Sequence, residues 1–236
     1  MNTNHLIRRL WLKLIVFFGI CSFWLFSGCT RIQFEKADYL LESGAFLEAR
    51  KIYKQGLTNR LYQFSSHYGM GMTFAAEAMY KTNLGLASPM DWYPAIYHIS
   101  IASNEQPTFE VRHTLSILHF NLGVSYKQKG RTKEAIDRLT QAVSYDSSLI
   151  KGYNLLGALY QEQQNYSTAR WYYERVIALD SSYALGHFNL GTIYWINNDY
   201  DRAYFHFNQA ATLDPSKQVF TNWEQQAKDQ LDESDE

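Results

Sequence analysis

The sequence predicts an all-α protein: a right-handed superhelical solenoid of antiparallel helix pairs, about five units long, closed by a C-terminal capping helix. Three observations predict it. A short phrase returns at a fixed interval, since Leu122-Gly123, Leu156-Gly157 and Leu190-Gly191 stand 34 residues apart (157 − 123 = 34 and 191 − 157 = 34). Every copy continues alike, with Tyr126, Tyr160 and Tyr194, then Ala135, Ala169 and Ala203, then Leu139, Tyr173 and Phe207 at matching distances from the glycine. Composition agrees: 46% apolar and 16% aromatic content with 13 Gly and 4 Pro suits packed helices rather than a disordered chain. A period of this length, kept over three consecutive units, is how stacked repeats show themselves.

Within a unit the leucine, glycine and tyrosine share one face of a first helix, and the alanine with the large residue after it forms the facing stripe of a second. Glycine opposite alanine lets two helices approach closely, while the larger side chains fill the wider ends of the crossing. Polar stretches at 129–132, 163–166 and 197–200 suit short turns. Asp146, Asp180 and Asp214 close the units, and Ser147, Ser181 and Pro215 after them are expected at the N-cap and first turn of the next helix. Over residues 116–217 these positions resemble the tetratricopeptide repeat. Where that family has Trp near the start of the first helix, the chain has His119, Tyr153 and His187. A later family Ala is Ala142 and Ala210 but Val176 in the middle copy, and the closing Pro is met by Pro215 alone. The resemblance implies stacked helix pairs whose first helices line a concave groove.

Taken in order, residues 1–28 read as a targeting signal, with Arg8, Arg9 and Lys13 ahead of an apolar run from Leu14 to Phe26. The 15 uncharged residues from Leu14 to Gly28 fall short of the roughly 20 that a spanning helix needs, which disfavours an uncleaved anchor. Leu25 to Cys29 resembles a bacterial lipoprotein signal, with Phe26 where that family prefers Leu. The resemblance implies that Cys29 becomes the acylated N-terminus, and several acyl chains at about 0.8 kcal/mol per buried methylene hold a protein stably to a bilayer. Cys21 would leave with the signal, so no disulfide and no cysteine metal site is expected in the mature chain. By the rule familiar from well-studied bacteria, Thr30 rather than Asp after the lipidated cysteine favours the outer over the inner membrane. A formal net charge of −1 carries no nucleic-acid footprint.

The solenoid is expected over 29–231. Unit 32–60 shows Ala37, Leu40 and Leu41 on one stripe, Ser43-Gly44-Ala45 as its turn, and Ala49 with Tyr53 on the second. Unit 61–107 sets Tyr68-Gly69 and Met72 in the Leu-Gly-Tyr places and Ala95, Ile99, Ala102 and Pro107 in those of the second helix. That spacing implies an insertion of 95 − 81 = 14 residues, assigned to 80–94. It is expected as a longer first helix with an edge-packed loop, the alternative being a loop that meets a partner or membrane. Unit 108–149 opens with one long helix over 108–129, and units 150–183 and 184–217 are regular. A cap at 218–231 presents Val219, Phe220, Trp223, Ala227 and Leu231, and the acidic tail 232–236 is expected to fray.

No Gly-rich phosphate loop, spaced metal-ligand set or recognisable nucleophile turn appears, so a non-enzyme without cofactor or metal is expected. His119, His187 and His206 read as packing imidazoles, and His113 lies six residues from His119, off its helix face. The first-helix residues off the Leu-Gly-Tyr stripe are Phe120, Val124, Lys127 and Gln128, then Asn154, Ala158, Gln161 and Glu162, then Phe188, Thr192, Trp195 and Ile196. Of these, Phe120, Lys127, Asn154, Gln161, Phe188 and Trp195 are the candidate groove residues: rings can anchor a ligand and amides can bond an extended peptide backbone. The competing expectation is a groove filled by the protein's own C-terminal helix or left wet. With only Lys127 and Lys151 nearby, the family's carboxylate clamp is not expected. The leading functional expectation is a lipid-anchored scaffold on the periplasmic side of a bacterial envelope membrane, binding an envelope protein or peptide during assembly of an envelope complex. The alternative is a solute-uptake subunit holding a small apolar ligand against Phe120, Phe188 and Trp195. Either reading admits a homo-oligomer.

Overall fold

The computed structural model describes residues 28–234. The expected signal up to Ser27 lies outside them, as do Asp235 and Glu236. Among the described residues the chain forms eleven α-helices and no strand. They are α1 (Gly28–Ser43), α2 (Phe46–Gly56), α3 (Gln63–Asn83), α4 (Tyr93–Glu105), α5 (Phe109–Gln128) and α6 (Thr132–Tyr145). After them come α7 (Ile150–Glu162), α8 (Tyr166–Leu179), α9 (Ala184–Ile196), α10 (Tyr200–Leu213) and α11 (Gln218–Ser234). Cys29, the expected lipidation residue, is the second residue of α1. Two compact units divide the chain at Pro107 and Thr108.

In the second unit α5 pairs with α6, α7 with α8 and α9 with α10, and α11 packs on α10. The long first helix expected over 108–129 is α5. Ala135, Ala169 and Ala203 are wholly buried, and the crossings are as tight as glycine against alanine allows. A methyl group on Gly157 would fall 2.5 Å from the ring of Tyr173, and one on Gly191 would fall 2.8 Å from Phe207. Gly157→Val should therefore overpack its crossing and cost about 1–3 kcal/mol. Glu162→Ala, at an exposed position, should cost less than about 0.5 kcal/mol. Equal shifts of the urea midpoint for the two would contradict this register.

The turns inside the pairs follow one chemical rule. Gly130, Gln164 and Asn198 adopt φ of 71°, 60° and 58°, the left-handed conformation that ends a helix by turning the chain back on itself. In each case the next amide reaches the carbonyl of the repeat's tyrosine: Arg131 to Tyr126 at 3.0 Å, Asn165 to Tyr160 at 2.9 Å and Asp199 to Tyr194 at 3.0 Å. The phrase residue that packs the crossing thus also closes its own helix.

Between pairs the structure corrects the expected caps. Ser147, Ser181 and Pro215 do not open the next helices, which start at Ile150, Ala184 and Gln218. The preceding aspartates act instead on the residue two further on. Asp146 accepts from the amide and hydroxyl of Ser148 at 2.9 and 2.6 Å, Asp180 repeats both with Ser182, and Asp214 accepts from the Ser216 hydroxyl at 2.6 Å. Aspartate satisfies a local turn more readily than it waits for a distant helix, which shifts each start by a few residues.

In the first unit α1 and α2 bury Ala37, Leu41, Ala49 and Tyr53 as expected. The register of the next pair differs. Gly69 does not face the second helix of its own pair; it lies against the ring of Tyr53 on α2. Gly71 is the glycine of the crossing, where an added methyl group would fall 2.6 Å from Ile99 and 3.2 Å from the Ala95 carbonyl. Phe74, not Met72, then holds the tyrosine place, and His67 holds the place of His119 and His187. The inserted length becomes 95 − 83 = 12 residues. Two glycines two residues apart in Gly69-Met70-Gly71 left the sequence ambiguous between the frames.

The extra residues extend α3 to Asn83 and then form a turn and a short 3-10 helix, Pro89–Trp92. Ser88 and Asp91 cap that turn reciprocally, Lys81 reaches Asp91 at 2.7 Å, and Trp92 is buried. Leu84, Leu86 and Met90 stay exposed. In the cap α11, Phe220 and Ala227 are buried and Trp223 half-buried, but Val219 faces outward. The helix also continues through Asp232 to Ser234, where a frayed tail was expected, with Gln225 bonded to Asp229 and Gln230 to Glu233 along its surface.

Candidate functional site

The expected groove residues separate into a polar group and an aromatic group. Lys127 on α5 reaches Glu162 on α7 at 2.8 Å, and Asn189 on α9 donates to Asn154 on α7 at 2.9 Å. Gln161 accepts from the Tyr173 hydroxyl at 2.9 Å. The Lys127–Glu162 and Asn154–Asn189 pairs form rungs between successive first helices, as positions about one repeat apart do in stacked repeats, while the Gln161–Tyr173 bond stays within one pair. Phe120 is half-buried on α5.

The aromatic group is packed by the chain itself. Phe188 lies 4.9 Å from the ring of Phe220 and 5.6 Å from that of Phe207, and Trp195 meets Trp223 edge-on at 5.5 Å and Tyr200 at 5.0 Å. Phe220 and Trp223 belong to α11, so at this end the groove is lined by the cap, the occupant named as the competing expectation. The rings contribute to cap adhesion before they contribute to any ligand.

What remains open is a depression of about 390 Å³ lined by Ala158, Gln161, Glu162, Tyr166, Tyr173, Asn189 and Ile196. Ala158, Gln161, Glu162 and Ile196 stand among the expected first-helix positions. Tyr166 and Tyr173 were missed because they come from α8, a second helix. Tyr173 gets there through the space that Gly157 leaves: its ring crosses the glycine and its hydroxyl emerges at Gln161. Burial, and then the charge of Glu162, pushes that hydroxyl well above the ordinary tyrosine value, so it stays protonated and donates. Gly157 followed sixteen residues later by an aromatic was the signal available in the sequence.

The depression combines an apolar floor, two amides, a phenol donor and one carboxylate held by Lys127. Such a set can bond the alternating donors and acceptors of an extended backbone. Among the described residues no cluster of three or more His, Cys, Asp or Glu could hold a metal ion, and no helix is long and apolar enough to cross a membrane.

Helix pairs whose Leu-Gly positions recur every 34 residues define a helical repeat protein. A TPR repeat model matches residues 123–164, and tetratricopeptide repeat models match 150–183 and 184–217. Residues 123–217 are tetratricopeptide repeats. Its fold is similar to that of the protein MamA, with 21% identity over 80% of this chain and 94% of that one and a TM-score of 0.52. MamA from Desulfovibrio magneticus RS-1 gives 19% identity over 82% and 99% of the two chains, with a TM-score of 0.51. YrrB, described as a TPR protein with an unusual peptide-binding site, gives 16% identity over 80% and 89%, with a TM-score of 0.52. A search of curated proteins returned no match to the sequence.

Proposed function

We propose that this chain is a non-enzymatic scaffold that binds an extended peptide segment of a partner protein across the depression between α7 and α9. The observation that carries the proposal is the depression itself, where Gln161, Asn189 and the Tyr173 hydroxyl stand around an apolar floor of Ala158 and Ile196. The peptide-binding site named for YrrB supports the class of ligand. Packing of Phe188 and Trp195 beneath α11 leaves fewer rings for the alternative of a small apolar solute. The partner belongs to the envelope complex that the scaffold helps assemble, and the scaffold is held at the periplasmic face, at the outer membrane, through lipid on Cys29. Support for that location is the resemblance of Leu25 to Cys29 to a lipoprotein signal.

A photo-crosslinking residue at Ala158 in intact envelopes should trap a partner. Ala158→Arg, which fills the depression, should abolish capture by a probe placed instead at Ile196 of the same chain. Gln161→Ala and Asn189→Ala should each weaken peptide binding by about 0.5–1.5 kcal/mol, a few-fold to tenfold. Crosslinks unchanged by Ala158→Arg would put the binding face elsewhere. Separately, Cys29→Ala should lose the acyl mass and leave the membrane fraction; unaltered processing and partitioning would refute the lipid anchor.

A further inference from the structure

Two histidine pairs occupy the same place in their repeats. His67 stands four residues before Gly71 and His98 three after Ala95; His187 stands four before Gly191 and His206 three after Ala203. Each pair ties a first helix to its second through Nδ1 atoms, at 2.9 Å for His67 and His98 and at 3.1 Å for His187 and His206. Their surroundings repeat too. His98 stacks on Phe74 at 5.7 Å and His206 on Tyr194 at 5.5 Å, both 6° from parallel, and each meets the ring before it in sequence, Tyr97 or Phe205, edge-on. The repeats of His119 and Tyr153 place Arg138 and Tyr172 where the second imidazole would be.

Facing ring nitrogens at this separation share one hydrogen, with one ring donating and the other accepting. For the second pair the network assigns the roles. Nε2 of His187 lies 3.2 Å from the Ser181 carbonyl, so it carries a hydrogen and donates there. Nδ1 of His187 is then the bare acceptor, and Nδ1 of His206 donates to it. A first added proton on the pair can leave this bond in place. A second puts hydrogens on both facing nitrogens and two positive charges about 3 Å apart, and the bond is lost.

No carboxylate forms an ion pair with these rings among the described residues. Around His187 and His206 the charged groups are Arg202, whose guanidinium lies 4.7 Å from the Tyr194 ring, and Asp199, which Arg202 already pairs. On α11, Glu224 is taken by Asn208 at 2.6 Å. Around His67 and His98, Arg50 lies 4.4 Å from the Phe74 ring and holds Glu77 at 2.7 Å, while Glu77 and Asp91 share Lys81. Burial, then His187 and Arg202, pushes His206 down to about 4, and burial, then His67, pushes His98 down.

We propose that the two histidine pairs are acid-operated latches, each holding the helices of its repeat together through one shared hydrogen and releasing them when both rings are protonated. The second latch bears on the cap. His187 precedes Phe188 and His206 precedes Phe207, the rings against which Phe220 and Trp223 of α11 rest. Opening it in acid frees the cap and uncovers that end of the groove.

Imidazole nitrogen NMR of the full chain tests this without a substitution. Each pair should show one nitrogen-to-nitrogen hydrogen bond at neutral pH and two widely separated protonation steps. Four rings titrating independently near about 6.5, the ordinary histidine value, would overturn it. In urea unfolding between about pH 7 and about pH 4.5, His187→Gln or His206→Gln should shrink the acid-induced rise in unfolded fraction by roughly tenfold. The double variant should change less than the sum of the two single changes, because either substitution removes the same repulsion. Additive effects of the two, or stabilisation by added Zn(II) that both variants abolish, would replace the latch with independent packing residues or a metal chelate.

Discussion

Replacing Phe207 by Ala should cost about 3–5 kcal/mol, the range for removing a large ring from a closed core. Phe207 is fully buried and touches three things at once: the face of Gly191, the ring of Phe188 and the ring of Trp223 on the cap. Its loss leaves a cavity at the junction of α9, α10 and α11. Stacked repeats draw stability from nearest neighbours, so the deficit should appear first as early unfolding of this end. Phe205→Ala, two residues away but 56% exposed, should cost under about 0.5 kcal/mol. Urea curves followed by tryptophan emission and by helix content compare the two. Similar midpoints for both variants would show that the last pair and the cap are not packed as described.

Acid should destabilise the second unit strongly, and His119 should account for much of the loss. It is 4% exposed, stacks on Tyr145 at 5.5 Å, and its Nδ1 has no hydrogen-bond partner. Burial first, and then the nearby Arg138 charge, pushes it down from 6.5 to about 4. Unfolding releases the ring to its ordinary value, so between those limits the unfolded state binds more protons and stability falls as pH falls. The gap from 6.5 to about 4 amounts to about 3 kcal/mol, lost progressively as pH falls and completely only below about pH 4. His119→Phe keeps a ring against Tyr145 and removes the proton site. The urea midpoint of that variant should depend on pH much less than the wild-type midpoint. An unchanged pH slope would clear His119 of the effect.

The helix pairs were legible because close packing repeats in sequence what it repeats in space. Gly123, Gly157 and Gly191 each face a buried partner, and no larger residue fits. The same logic failed at Gly69 and Gly71, where both glycines are in close contact but with different helices. Spacing alone cannot say which neighbour a small residue meets. Helix starts were misplaced because Asp146 and Asp180 bond within their own turns, a choice between two local partners that composition does not decide. The open face was legible where it depends on one helix, as for Ala158, Gln161 and Ile196. It was not legible at Tyr173, whose hydroxyl arrives from another helix, nor at Phe188 and Trp195, whose exposure depends on where α11 settles. The histidines read singly as packing residues, and pairing became visible only once Gly71 fixed the register that makes His67 and His187 equivalent.

The ends of the inserted stretch have a bearing on how this chain came to differ from a regular array. The end of α3 is completed by its own backbone, with Gly85 bonded to Thr82 at 3.0 Å and Leu86 to Lys81 at 2.9 Å. On the far side, Ser88 and Asp91 complete the start of the next turn between themselves. Neither boundary relies on the residues between them for hydrogen bonds. The segment thus behaves as a cassette set between two self-sealed joints. The exposed side chains of Leu84 and Leu86 can change in kind while α3 and α4 keep their geometry, which makes the segment the place where related chains can diverge in sequence without refolding.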